Sequence, residues 1–536
     1  MALALPTIDD ADRRWWTLGA MCFALFMVML DNTVVNVALP SIQRDLDAST
    51  ANLEWTVNAY TLTFAVLLVT GGRMGDIFGR RRWFLVGVAV FGASSLFIAF
   101  SQTEAWLVAG RAAQGVGAAF MMPATLSIIT NAFPPEERGK AIGTWAGMSA
   151  VALAIGPVVG GFLVENVSWQ SIFLINVPIA MIAVVVTLWA TRESRDPTAA
   201  RTVDVAGVSA LSVGMGALVL GLVEGNAWGW GSPPIIGLFT LALGSLVAFF
   251  VIEHHVRAPM LDFTYFRSRS FLGANIVAFI VSFAMLAMFF FLALYMQNVR
   301  GYSPLEAGVR FLPSTLVIIV MGPVAGRLAD RVGPRPLMAL GLVFVSISLF
   351  AQSFLAPDTP YGTLALAFAL MGVGMGLVMS PMSTAAMNAV DQTKAGAASG
   401  VLSMSRMVGG TFGVAVTGAL VTTLGRGRLT ELLPGSTSGQ VDRLVDALAT
   451  GGAGIPGKAG LAVQTAFLDA VNTSMKIGSV VALVGAVVAW LLIEKIPPRA
   501  QVPQTAEERL ELDLVEAGDA GGAPQGEAAL RQPARA

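Results

Sequence analysis

The chain has 536 residues, 55% of them hydrophobic and only 12% charged, with a mean hydropathy of +0.71; soluble domains carry about 25% charge, so a soluble enzyme with one anchor is excluded. Its 33 basic and 34 acidic residues leave a net charge of −1, which offers no basic field to nucleic acid. The single cysteine, Cys22, excludes an intrachain disulfide and a multi-cysteine metal site.

A spanning helix needs about 20 apolar residues, and runs of that length predict fourteen helices. After a short segment 1–14, the first run begins at Trp15, exceeds a signal-peptide core and lacks a small-residue cleavage site, so it stays as helix one. Six helices near 15–40, 51–72, 83–101, 105–131, 140–164 and 171–190 form a first bundle, 15–190. A pair follows within 204–252, at 204–223 and 233–252. Six more, near 271–296, 304–326, 337–355, 360–383, 396–424 and 474–494, form a second bundle, 271–494. Within it, 425–473 reads as the one long external connection, with amphipathic stretches at 438–450 and 460–472. The Pro-, Ala- and Gly-rich tail, 495–536, reads as disordered. Lys and Arg concentrate in alternate connections, including Arg73, Arg80, Arg81, Arg82, Arg267, Arg269, Arg327 and Lys394, which places both termini in the cytoplasm.

The chain repeats itself. Gly72, Arg73, Asp76, Gly79 and Arg81 in GRMGDIFGRRR recur 254 positions later as Gly326, Arg327, Asp330, Gly333 and Arg335. Gly115 and Gly117 recur as Gly372 and Gly374, 257 positions later. Each repeated loop follows an inward-running helix, so the halves are parallel repeats about the membrane normal. At about 32 residues per helix and connection the offset covers eight helices, which makes 204–252 an insertion between two six-helix bundles.

Asp31 stands in an apolar run, where an ionised carboxylate costs about 2.5–3.5 kcal/mol and needs a compensating role. Counted from the outer helix ends at 1.5 Å per residue, Asp31 and Arg111 lie roughly 13 and 9 Å deep, so they can share a layer. A carboxylate beside a guanidinium ionises, and favours its protonated form when the partner leaves, which suits a proton carrier; the plainer alternative is a permanent structural ion pair. Gln114, one turn from Arg111, faces the same layer or serves helix contact. At the loop 72–82, Asp76 is expected at the start of helix three, facing its positive end, with Arg80 to Arg82 cytoplasmic: a charged latch with Gly72 and Gly79 supplying the turns, echoed by Gly326, Asp330 and Gly333. Gly156, Pro157, Gly160 and Gly161 permit close approach and a bend between the halves, or plain helix packing. Met285, Met288, Phe289, Phe290 and Phe291, with Met371, Met375 and Met379, offer soft apolar surface for a substrate cavity, although ordinary packing suits each singly. Arg310, with Glu306 one turn away, and Arg406 are second-half charges assigned to the same cavity.

Four stretches in order resemble the major facilitator superfamily, specifically its fourteen-helix drug:proton antiporter branch. GRMGDIFGRRR is similar to that superfamily's loop between helices two and three. LVAGRAAQGVGAA at 107–119 resembles its fourth-helix motif through Arg111, Gln114, Gly115 and Gly117. AIGPVVGG at 154–161 resembles the antiporter motif of helix five. LDNTVVNVALP at 30–40 resembles the first-helix motif of the branch through Asp31, Asn36 and Pro40. The second loop copy departs from the pattern, with Pro334 and Pro336 replacing basic residues.

GAGIPGKA at 452–459 nearly matches a phosphate loop, but Ala459 lacks the hydroxyl and no strand precedes it. His254 and His255 are adjacent and point apart, so no metal site is expected. No nucleophile and base constellation is readable. The expectation is an all-α polytopic membrane protein of the major facilitator fold, two six-helix bundles plus two inserted helices. It would be a monomer in the plasma membrane, without cofactor or nucleic-acid partner. The resemblance implies export of hydrophobic or cationic drugs or antibiotics in exchange for protons. The alternatives are a facilitator importing a small metabolite and, less favoured, a membrane enzyme or sensor.

Overall fold

A computed structural model describes residues 9–46, 50–197, 202–256, 259–434, 436–448 and 455–495. The expectations for residues 1–8 and for the tail beyond 495 lie outside the described residues. Long apolar segments cannot leave backbone groups unpaired in lipid, so every crossing is helical. The helices are α1 (Asp10–Leu46), α2 (Thr50–Phe78), α3 (Arg80–Ala99), α4 (Glu104–Ala132), α5 (Pro135–Asn166), α6 (Asn176–Ala190), α7 (Val205–Trp228), α8 (Pro233–His255), α9 (Arg269–Leu294), α10 (Leu312–Val332), α11 (Pro334–Ala351), α12 (Tyr361–Asn388), α13 (Ala395–Leu432) and α14 (Gly457–Leu492). Among the described residues, thirteen stretches are long and apolar enough to cross a membrane. The fourteenth long helix is α5, whose 32 residues pack against α1 and α10.

Packing follows the repeat. Within the first bundle α4 packs on α2 and α3, and α1 on α5 and α6; eight helices later α12 packs on α10 and α11, and α9 on α13 and α14. The halves meet through α5 against α10 and α2 against α13, two contacts that exchange under the same correspondence. That exchange is what an axis along the membrane normal produces for parallel repeats. The inserted pair, α7 and α8, packs on itself and then on α2 and α13. Ile236, Leu243 and Val247 of α8 point outward, apolar surface suited to lipid.

Three boundaries depart from the hydropathy reading. Helix α1 spans 37 residues, about 55 Å at 1.5 Å per residue, so it stands beyond a hydrocarbon core of about 30 Å. The run at 304–326 divides into a short helix, Pro304–Arg310, and α10, because Pro313 in the first turn of α10 brings no backbone N–H. The connection drawn at 425–473 is largely helix. Helix α13 continues to Leu432, Ser438–Leu448 forms a separate helix, and α14 already begins at Gly457. Polar residues end an apolar run without ending a helix, since the backbone bonds continue in water.

Candidate functional site

Two neighbours of Asp31, Asn32 and Thr33, satisfy themselves on their own helix, donating to the carbonyls of Val28 at 3.0 Å and Leu30 at 2.8 Å. An ionised carboxylate has no proton to donate, so Asp31 requires donors from other helices. It has them. Arg111 Nη1 donates to Asp31 Oδ2 at 2.6 Å, while Gln114 Nε2 and Asn176 Nδ2 each donate to Oδ1 at 2.9 Å. The second amide proton of each goes to Ser95 Oγ, at 2.8 Å from Gln114 and 3.3 Å from Asn176. Ser95 turns its own proton to the Phe91 carbonyl at 2.8 Å. Gln114 Oε1 accepts from Arg111 Nη1 at 2.6 Å, and Arg111 Nε donates to the Thr56 carbonyl at 3.0 Å. The Tyr60 ring lies 4.4 Å from the guanidinium carbon, adding a cation–π contact. Five helices, α1, α2, α3, α4 and α6, thus converge on one layer. Asp31, Gln114 and Asn176 are 0% exposed and Arg111 1%.

Leaving water costs several kcal/mol for each ion, which a single contact does not repay; this layer offsets it with paired charges and hydrogen bonds to both oxygens of Asp31. The layer ties the charge of one carboxylate to the packing of five helices. A cationic ligand finds no open carboxylate here, because both oxygens of Asp31 are engaged.

The loop motif is assembled differently from the expectation. Asp76 lies in the last turns of α2, and its carboxylate caps α13 of the other half. Oδ1 accepts from the Gly396 backbone N–H at 2.9 Å and Oδ2 from that of Ala397 at 2.8 Å. Both donors belong to the first turn of α13, where unpaired N–H groups and the helix dipole favour an anion. Arg80 is 0% exposed. Its Nε and Nη2 donate to Asp76 Oδ1 at 2.9 and 2.6 Å, and Nη2 also reaches the carbonyls of Gln392 at 2.9 Å and Thr393 at 2.7 Å. Arg80 is therefore a buried bridge between halves rather than a solvated loop charge. Gly79 makes the turn at φ +110°, a region costly for any residue with a Cβ. Gly72 lies against the Gly396 backbone with no space for a side chain on either. Beside them, Lys394 pairs with Asp262 at 2.9 Å. Burial pushes the Asp262 carboxyl up, but hydrogen bonds from Thr264 and Lys394 outweigh it and leave it below its ordinary value.

The related contact, α5 against α10, uses Gly326 and Asp330. Gly139 of α5 abuts both, and neither Gly139 nor Gly326 has room for a Cβ. Ser380 Oγ donates to the Gly139 carbonyl at 3.1 Å, and Arg138 Nη1 to Asn388 Oδ1 at 3.0 Å, again across halves. Position 334, equivalent to Arg80, is a proline at the start of α11, so this side lacks a counterpart of Arg80. Gly333 turns at φ +82°, matching Gly79. Gly156 and Gly160, expected between halves, pack instead on Thr33 and Val34 of α1, while a Cβ at Gly161 would meet open space. Helix α5 runs unbroken through Pro157. The half-to-half contact belongs to Gly139, Gly143 and Gly147, four residues apart and facing α10. That spacing is a small-residue stripe visible in the sequence.

The expected cavity residues scatter. Met288 and Met375 are fully buried in the core and present no ligand surface in this conformation. Phe289 packs edge-on against Phe311 at 5.0 Å, Met285 is half-buried, and Phe290 is exposed on the outer surface. Arg310 sits at the end of the short helix Pro304–Arg310, stacked 3.6 Å over the Tyr302 ring. The anticipated Glu306–Arg310 pair does not form, since Glu306 is occupied in a capping box with Ser303. Arg406, half-buried on α13, keeps an interior position. Asn176, Ser95, Thr56 and Tyr60 were not anticipated; the only sequence signal was an isolated Asn in the apolar run of α6.

Comparison with known proteins agrees with this architecture. The family description of the Major Facilitator Superfamily matches residues 21–414. The chain is 35% identical over 516 residues to the tetracenomycin C resistance and export protein of Streptomyces glaucescens, covering 93% of this chain and 95% of that one. It is 38% identical over 415 residues to the puromycin resistance protein pur8 of Streptomyces alboniger, covering 76% of this chain and 82% of that one. The solved structure of the proton:xylose symporter XylE bound to 6-bromo-6-deoxy-D-glucose superposes with a TM-score of 0.62 at 11% identity, over 91% of this chain and 97% of the other. That last likeness is one of fold.

Proposed function

Because the chain belongs to the Major Facilitator Superfamily, we propose that it is a proton-coupled exporter of apolar antibiotics or drugs, working by alternating access in the plasma membrane. The observation that carries the coupling is Asp31, wholly buried yet held by Arg111, Gln114 and Asn176. Proton uptake from outside breaks that hold, and release to the cytoplasm restores it. Two relatives are named for resistance to antibiotics, one of them also for export, which favours outward transport over metabolite import. The energy suffices: one charge crossing 100 mV supplies about 2.3 kcal/mol, equal to an about fortyfold gradient of a neutral substrate. The halves touch where Gly72 of α2 meets Gly396 of α13 and Gly139 of α5 meets Gly326 of α10, at the end that carries the basic loop 72–82. With that end in the cytoplasm, alternating access reads this as the conformer closed to the cytoplasm.

The decisive experiment is transport in proteoliposomes with an imposed pH gradient, using tetracenomycin C and the dye Hoechst 33342. Uphill movement that stops when a protonophore collapses the gradient is expected; equilibration indifferent to the gradient would make the protein a facilitator. Orientation is tested separately, in a Cys22→Ser background. Arg82→Cys and Arg269→Cys should react with an impermeant maleimide only from the cytoplasmic side, and Gln440→Cys only from outside. Opposite sidedness of 82 and 269 removes the inserted-pair topology.

A further inference from the structure

Arg406 has no hydrogen bond, ion pair or ring contact among the described residues, in contrast to Arg111 and Arg80, whose guanidinium groups are tied to carboxylates. Its direction follows from its helix. On α13, Gly396 and Gly400 touch α2, while Gly409 and Gly413 touch Phe279 and Phe283 of α9. Between these faces, Ser399 donates to the Pro123 carbonyl of α4 at 3.0 Å. Arg406 lies seven residues, almost two full turns, from both Ser399 and Gly413, so it projects between the face turned to α4 and the face turned to α9. Its side chain is half-buried and so retains some accessible surface. Helices α4 and α13 run in opposite directions, so Arg406 lies level with about residue 116 of α4. This is roughly 8 Å short of Arg111 at 1.5 Å per residue.

An unpaired guanidinium inside a membrane protein is costly, and a carboxylate-sized anion presented to it gains a charge-assisted, bidentate contact. The carboxylate nearest in layer, Asp31, is already saturated and cannot serve it. We infer that Arg406 binds an acidic group of the transported molecule, so that the preferred substrates are amphiphilic anions: an apolar body carrying a carboxylate or an acidic phenol. This places substrate charge on α13 and proton charge on α1 and α4, two sites that one cavity serves in turn. It rests on the export reading for its biological meaning, whereas binding itself is read without any gradient.

The test uses three fluorescent probes with one apolar body: 1-pyrenebutyrate, 1-pyrenebutanol and 1-pyrenebutylammonium. Their affinities are measured for the full chain in phosphatidylcholine nanodiscs at low salt, against empty nanodiscs. The parent should prefer the carboxylate to the alcohol by about tenfold or more and bind the ammonium weakest. Arg406→Gln should erase that preference and leave the alcohol unchanged, and Arg406→Lys should restore part of it. Equal binding of the three probes by the parent, no binding of the carboxylate, or a loss in Arg406→Gln shared by all three overturns the assignment. Displacement of pyrenebutyrate by chloride at about 100 mM would assign the site to inorganic anions and overturn it equally. Charge-selective binding with no proton-driven transport leaves Arg406 in place and removes only the coupling.

Discussion

Asp31→Asn abolishes uphill export while the protein still binds substrate. The amide keeps the shape of the side chain but cannot ionise, so no proton is carried in or released. It also cannot satisfy its surroundings. One of its two positions becomes an N–H group facing either Arg111 or the amides of Gln114 and Asn176, all of which are donors in the native layer. Arg111 is left as a buried cation without a counter-charge, which costs about 3–5 kcal/mol where one partner of a buried pair is removed. A folding defect is therefore separated from a coupling defect by two further variants. Asp31→Gln with Arg111→Gln removes both charges and should fold without coupling, and Asp31→Glu keeps the titrating group and should retain partial activity. The readout is proton release and substrate movement in proteoliposomes, with uphill transport expected to fall about a hundredfold or more. If Asp31→Asn pumps as well as the parent, the layer is a packing device and the coupling group lies elsewhere.

Asp31, Arg111 and Gln114 were readable from sequence because charge in an apolar run is expensive and their helical spacing sets them on one layer. Asn176 and Ser95 were not, since neutral polar residues are inexpensive in helices and nothing local announces that α3 and α6 bring them to the same carboxylate. The loop motif stood out by its spacing, but its partners did not: Gly396 donates to Asp76 across 320 positions, a contact made by the packing of α2 on α13 rather than by the turn itself. Among 57 glycines the stripe at 139, 143 and 147 is one of many small-residue spacings, and only the facing backbone of α10 distinguishes it. Helix ends were misplaced for a related reason. Apolarity reports the depth of lipid, whereas α1, α13 and α14 continue as helices beyond it.

The interface between halves at Asp76 sets the second large effect, on rate rather than affinity. The Asp76 carboxylate accepts four hydrogen bonds, two from Arg80 and one each from Gly396 and Ala397. Asn at this position turns an amide group toward one set of donors, losing one or two charge-assisted bonds of about 1.5–3 kcal/mol each. Of these bonds, those from Gly396 and Ala397 exist only while α2 and α13 are together, so the loss of one falls on the closed conformer and lowers its population about ten- to a hundredfold. Turnover, which must pass through that conformer in every cycle, should drop by a similar factor in proteoliposomes. Affinity of the isolated protein for its substrate should change about threefold at most, because Asp76 is an end-cap remote from the Asp31 layer. Asp330→Asn should slow transport less, because Pro334 stands where Arg80 does in the first half and cannot supply the two hydrogen bonds that Arg80 gives Asp76. An equal loss at both positions would mean that the two contacts between halves act without Arg80, and a collapse of affinity with normal turnover in Asp76→Asn would place Asp76 in the substrate site.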